Sequence, residues 1–171
     1  MKPLIALGIS VGVLAGAATW LSLTFRLSVW ALFIAWACFF HCGGDLAALK
    51  NSIINNLFGA VLGWVAALLI LEVPALTLIP RASIIVALTV IVLVFAAHIK
   101  ALSVIPAGFY GYASVFAFAL LTKDAFTPAA LLSPNMNNAL IAIAVAMIIG
   151  NVFGIVSAKL SAVMQPAAKT V

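Results

Sequence analysis

Paired asparagines are the residues of this sequence with the most distinctive chemistry. Six of the seven asparagines fall in two short stretches, which are Asn51, Asn55 and Asn56, and Asn135, Asn137 and Asn138. Amide side chains carry both donors and acceptors, which suits contact with an uncharged polar solute or with water. An amide in hydrocarbon needs such partners, so we expect these side chains to face protein or water. The alternative interpretation is helix capping and hydrogen bonding between helices.

The composition indicates that these amides lie in a membrane. Apolar residues make up 67% of the 171-residue chain and charged residues only 6%, whereas a soluble domain has about a quarter of its residues charged. The net charge of +5 comes from eight lysines and arginines scattered singly between apolar runs. Because they form no basic cluster, we expect the lipid bilayer and no nucleic acid as a partner.

The apolar runs predict an all-α integral membrane protein, with residues 1–171 as a single transmembrane domain. The six predicted spans are 4–25, 27–42, 52–73, 82–99, 101–121 and 137–158. The positive-inside rule predicts that both termini lie in the cytoplasm. The basic residues predicted inside are Lys2, Lys50, Lys100, Lys159 and Lys169, against Arg26, Arg81 and Lys123 outside.

The sequence repeats itself. The motif that begins Leu27-Ser28-Val29 returns as Leu102-Ser103-Val104, and the later motif Ala47-Ala48-Leu49 returns as Ala129-Ala130-Leu131, followed at the same spacing by the two asparagine pairs. Three spans per copy predict two inverted three-helix repeats, about 1–75 and about 76–160, with a short cytoplasmic tail at 161–171. A solute path lies at the repeat interface in transporters of this kind.

The segments before spans three and six, 43–50 and 127–134, contain glycine breaks and capping residues. We expect each to form a short half-membrane helix, which is tolerated at depth only beside protein or a water-filled cavity. The alternative is a surface loop with two capped turns.

Aromatic residues recur at three-to-four spacing in spans two and five. Phe33 and Trp36 correspond to Phe109 and Tyr112. Each set falls on one helix face, which is typical of packing. The functional alternative is a hydrophobic constriction that lines a narrow path and excludes ions.

Histidine is the side chain that serves most often as a switch at physiological pH. The two histidines, His41 and His98, lie at predicted cytoplasmic ends. They are candidates for a pH gate, with snorkelling as the alternative. His41 also lies near Cys38 and Cys42, but three ligands are few for a soft metal. We therefore expect no metal site and no cofactor.

Small residues at four-residue spacing predict close helix packing in three spans. The pairs are Gly12 and Gly16, Gly59 and Gly63, and Gly150 and Gly154. The motif does not distinguish packing within one chain from packing between chains. We expect a homo-oligomer.

The stretch 28–33, with Phe39-Phe40, Gly43-Gly44-Asp45 and Gly63-Trp64, resembles an uncharacterised family of bacterial inner-membrane proteins. This family is domain of unknown function 1097, which includes proteins of the YcdZ type. The resemblance implies a small multi-span inner-membrane protein and supplies no activity.

These features predict a channel or facilitator for a small, mostly uncharged polar solute of the urea, amide, ammonia or water class. The alternative is a non-transporting scaffold or accessory subunit that binds partner helices. A secondary transporter is a third interpretation, disfavoured because no acidic residue lies at the middle of a span. No catalytic motif is present, so we expect no enzyme.

Overall fold

The structure is a computed structural model that describes residues 1–165 and is built from helices. In chain order these are α1 (Pro3–Phe25), α2 (Val29–His41), α3 (Leu46–Glu72), α4 (Leu78–Phe95), α5 (Ile105–Leu121), α6 (Pro128–Leu131) and α7 (Ala139–Val163), with 3-10 turns at Ala96–His98 and Lys100–Leu102 between α4 and α5. Lys169 and the other positions of the predicted tail from 166 onward lie outside the described residues.

Each of the six predicted apolar segments is a helix. Within residues 1–165, four helical segments are long and apolar enough to cross a membrane, namely Pro3–Phe25, Leu46–Glu72, Leu78–His98 and Ala139–Val163. The other two apolar helices, α2 and α5, have 13 and 17 residues. A 13-residue helix is about 20 Å long, shorter than the hydrocarbon core of a bilayer. The length and composition of these helices are those of a helical membrane protein.

The prediction of a separate half-membrane helix at 43–50 is wrong. Residues from Leu46 onward are the first turns of α3, because Asp45 caps this helix with its side chain. Asp45 Oδ1 accepts a hydrogen bond from the Ala48 amide at 2.7 Å. Gly43 and Gly44, with φ of 120° and 73°, make the tight reversal that follows α2. The segment 127–134 contains only the four-residue α6, capped by Thr127.

Helices α3 and α7 form the centre of the molecule and contact each other. In the most apolar 18-residue stretch of each of these two helices, 44% of the residues are buried inside the protein. The corresponding share is 17% in α1 and 11% in α4. Helices α1 and α2 pack mainly on α7, and α4 and α5 pack mainly on α3. The Met1 amino group lies 3.3 Å from the Met164 carbonyl oxygen, so α1 starts where α7 ends.

Candidate functional site: a buried amide cluster

A cluster of polar side chains lies between the two central helices. Asn151 Nδ2 on α7 donates to Asn56 Oδ1 on α3 at 3.0 Å and to the Met147 carbonyl at 2.9 Å. Ser52 Oγ donates to Asn151 Oδ1. Both amides are fully buried. We call Ser52, Asn56 and Asn151 the amide cluster.

The amide cluster also contacts the two short apolar helices, α2 and α5. Asn56 Nδ2 donates to the Ala107 carbonyl oxygen of α5 at 2.9 Å and lies 3.5 Å from Cys38 Sγ of α2. Four helices therefore meet at Asn56. Asn151 is the middle residue of the 25-residue α7, about 18 Å from either end of that helix. At such a depth an amide needs partners inside the protein, and these contacts supply them.

Glycines let the helix backbones approach closely enough for these short side chains to reach. A Cβ on Gly59 would lie 1.8 Å from the Gly108 carbonyl oxygen, and one on Gly111 would lie 1.9 Å from the Asn56 carbonyl oxygen. On the other side, a Cβ on Gly150 would lie 2.1 Å from the Leu32 carbonyl oxygen. Only a residue without a Cβ fits at these three positions.

Asn55 has a different role from its neighbour. Its Nδ2 donates to the carbonyl oxygens of Asn51 at 2.8 Å and Ala101 at 3.1 Å, and its Oδ1 accepts from the Val104 amide at 3.2 Å. Asn55 thus fixes α3 to the segment that precedes α5.

The second asparagine pair lies elsewhere. Asn138 caps α7, where its Oδ1 accepts from the Leu140 amide at 2.9 Å and its Nδ2 donates to the Ser133 carbonyl at 3.0 Å. Asn137 is exposed. The pairs do not occupy equivalent places, because Asn55 and Asn56 lie inside α3 while Asn137 and Asn138 precede α7. The partner of Asn56 is Asn151, the one asparagine outside the two stretches.

The predicted aromatic stripes divide into buried and exposed members. Trp36 Nε1 donates to Ser157 Oγ at 3.0 Å, and the Tyr112 hydroxyl bonds to Thr89 Oγ1 at 2.8 Å. Phe33 and Phe109 are 37% and 38% exposed on the outer surface. The four rings therefore do not line one common path.

The two histidines are exposed at helix ends. His41 Nδ1 lies 3.2 Å from the Tyr110 hydroxyl, and His98 Nδ1 lies 2.8 Å from the Phe95 carbonyl oxygen. The sulfur atoms of Cys38 and Cys42 are 4.0 Å apart, and both cysteines are free. In the described part of the chain, no group of three histidine, cysteine or acidic side chains is arranged to hold a metal ion.

The three glycine motifs are used differently. Gly59 and Gly63 pack on the α5 backbone, Gly150 packs on α2, and Gly154 packs on the Phe39 ring. A Cβ on Gly12 or on Gly16 would meet nothing within 4 Å.

Two cavities with polar and charged residues in their lining lie at opposite ends of α5. One, of about 470 Å³, follows the end of α5 and includes Lys123, Asp124 and Asn137. The other, of about 410 Å³, precedes the start of α5 and includes Lys50, Asn51 and Lys100. We call them the α6 cavity and the basic cavity. Along α3, the amide cluster lies next to the residues that line the basic cavity. The lining of the α6 cavity includes no residue of α3.

Sequence reasoning missed Asn151 and Ser52 as members of the central cluster. A usable signal was present, because Asn151 is a lone amide in the middle of an apolar span, where a polar side chain needs a protein partner. Its position beside Gly150 marks the helix face that packs closely.

The apolar helices and their buried polar contacts define a helical membrane protein of small size. The chain belongs to the family described as "Protein of unknown function (DUF1097)", whose model matches residues 8–162. The resemblance of the segment that starts at Ser28 is thereby confirmed. No curated protein and no solved structure matches the chain.

Proposed function

We propose that the protein is a facilitator for a small, mostly uncharged polar solute of the urea, amide, ammonia or water class. The observation that carries the proposal is the amide cluster, in which two fully buried amides join α3 and α7 at the middle of α7. The polar atoms of Asn56 and Asn151 are bonded to each other and to the backbone, so this arrangement is a closed state. Opening requires α3 and α7 to separate at these two residues.

Amides suit this class of solute. Each offers a carbonyl acceptor and two N–H donors, so a urea or water molecule can replace the Asn56–Asn151 bond with equivalent bonds. No formal charge lies in the cluster, so an ion entering it would lose its hydration without a counter-charge.

The packing supports six membrane crossings in two inverted repeats. Helices α1 and α2 pack on α7 as α4 and α5 pack on α3. Gly150 meets Leu32 and Gly59 meets Gly108, and Leu32 and Gly108 occupy corresponding places after the repeated Leu-Ser-Val motif. These contacts make Gly59 and Gly150 corresponding residues of the two repeats. The alignment of the repeats is then shifted by nine residues from the one that the asparagine pairs predict. We place the protein in the bacterial inner membrane with both termini in the cytoplasm.

The test is solute flux through purified protein in liposomes. We expect faster swelling or shrinking than in empty liposomes for at least one of urea, acetamide, ammonia and water, with no increase for sodium chloride. Asn151→Leu removes the amide and should abolish the increase, while the surface variant Ser83→Ala should keep it. Rates equal to those of empty liposomes across the panel would contradict the proposal.

The open glycine face of α1 favours a second function, that of a scaffold which binds a partner helix. Gly8, Gly12 and Gly16 have nothing within 4 Å of their Cβ positions, and small residues at this spacing admit a neighbouring helix in membranes. Under this proposal Gly12→Leu should abolish recovery of a stoichiometric partner in a pull-down, while the flux assay stays at the background rate. Unchanged recovery from the variant would contradict the scaffold.

A further inference from the structure

The basic cavity has the chemistry of an anion site. It lies where the second turn of α3 meets the segment before α5, and its lining consists of Lys50, Asn51, Ile54, Lys100, Ala101 and Ser103. We propose that it binds the phosphate of an anionic phospholipid headgroup.

The acidic residues of the chain lie outside the lining of the basic cavity. The whole chain has three acidic residues. Asp45, at the start of α3, caps the helix with its carboxylate and does not line the cavity, and Glu72 is 22 residues beyond Lys50 on the same helix, a rise of about 33 Å. Asp124 lines the α6 cavity, at the other end of α5. Two ammonium groups therefore face a space with no acidic residue in its lining.

The cavity is built on a rigid frame. The Nδ2 group of buried Asn55 donates to the carbonyl oxygens of Asn51 and Ala101. The Oδ1 atom of Asn55 accepts from the Val104 amide. Because these bonds join α3 to the 3-10 turn that carries Lys100, they fix the two lysine-bearing backbones side by side. Ser103 Oγ donates to the Lys100 carbonyl at 2.9 Å and stiffens this turn further.

The surroundings favour a lipid over soluble phosphate. Each ammonium group offers three donors and the Asn51 amide offers two, all suited to phosphate oxygens. Ile54 adds apolar lining on the side of the cavity toward the middle of α3, where the acyl chains of a bound lipid would run. Basic pockets between membrane helices bind lipid headgroups in this way.

The experiment is native mass spectrometry of the full chain from micelles that contain phosphatidylglycerol or phosphatidylcholine at equal mole fraction. We expect the wild type to retain phosphatidylglycerol preferentially. The double variant Lys50→Gln/Lys100→Gln should lower this retention about 30-fold at low salt, because the loss of each lysine contributes a factor of about five. The matched control, Lys2→Gln/Lys159→Gln, removes the same charge at the same end of the helices and should retain the lipid like the wild type.

Three outcomes would overturn the assignment. Equal retention of both lipids by the wild type would show no anion selectivity. An equal loss in the two double variants would show general attraction rather than a site. Inorganic phosphate that binds with the same dependence on Lys50 and Lys100, in the absence of any lipid preference, would assign the cavity to a soluble ligand. Both lysines are exposed, so the variants are expected to fold, and their unfolding midpoints check this.

Discussion

The same motif, two glycines four residues apart, packs on a neighbouring helix in the centre of the molecule and has no neighbour in α1. In α3 and α7, neighbouring helices occupy the space beside the glycines. A Cβ added to Gly59 or to Gly150 would lie within 2.1 Å of a carbonyl oxygen. In α1 the glycines at positions 8, 12 and 16 face open space. The difference follows burial, since α3 and α7 are central and α1 is peripheral.

The comparison shows what the motif does and does not specify. It makes a helix face on which another backbone can approach, but whether one does depends on the rest of the fold. In the central helices the close approach also brings Asn151 onto Asn56 and the Ala107 carbonyl onto Asn56. Backbone contact and amide bonding therefore occur together at the centre, and separate substitutions at Gly150 and Asn151 distinguish their contributions.

The largest effect is expected from Gly150→Ala. The new Cβ would overlap the Leu32 carbonyl oxygen at 2.1 Å, and a backbone atom cannot move without displacing α2. We expect the free energy of unfolding to fall by about 3 kcal/mol or more. Reversible unfolding in mixed detergent micelles measures it. A loss no larger than that of Ile148→Ala, an exposed position on the same helix, would mean that the two helices can separate freely.

Gly154→Ala should cost less and be partly rescued. Its Cβ would lie 2.6 Å from Cδ1 of Phe39, a side-chain atom rather than a backbone atom. We expect a loss of about 1 to 3 kcal/mol. Phe39→Ala in the same chain removes the two nearest atoms, Cδ1 and Cγ, and should recover part of the loss, as a double-mutant cycle on unfolding free energies would show.

Gly150 provides the contrast for this cycle. Leu32→Ala should not rescue Gly150→Ala, because the overlap there is with the main-chain oxygen of Leu32. Rescue at Gly150 together with none at Gly154 would reverse our assignment of the two contacts.

Asn151→Ala tests the amide contribution without steric overlap. The change leaves Asn56 Oδ1 without its donor and takes from Ser52 its side-chain acceptor, although Ser52 Oγ keeps the Leu49 carbonyl oxygen at 3.2 Å. We expect a loss of about 1 to 2 kcal/mol in unfolding free energy, smaller than at the adjacent Gly150. A loss larger than that of Gly150→Ala would make the hydrogen bonds, not the backbone approach, the main determinant of the centre.

Sequence reasoning reached the helical membrane character, the positions of the apolar helices and the family. These follow from local composition, because a long apolar run in lipid must satisfy its backbone within a helix. Helix starts were less accurate. The third predicted span begins at 52, whereas α3 begins at Leu46, since Asp45 supplies a cap that the apolar count ignores.

The sequence marks Asn151 as an amide in need of a protein partner, but the identity of that partner could not be predicted, for a physical reason. The paired asparagines share a sequence motif, yet Asn138 is a helix cap and Asn56 is a buried bridge. Which amide meets Asn56 depends on how α3 and α7 are placed against each other. That placement is set by contacts between residues almost a hundred positions apart, such as Asn56 and Asn151, which no local spacing encodes.

The smallest effect, and one of opposite sign, is expected from Gly12→Ala. The Cβ meets nothing within 4 Å, so no overlap arises, and alanine restricts the unfolded chain more than glycine does. We expect a gain of about 0.5 to 1 kcal/mol in unfolding free energy, measured as for Gly150→Ala. Gly12→Leu extends the test, because a large side chain is also accommodated if this face contacts lipid. A loss of stability in Gly12→Leu at high protein-to-detergent ratio, absent on dilution, would instead show that a second helix occupies the face and that α1 uses its glycines between chains.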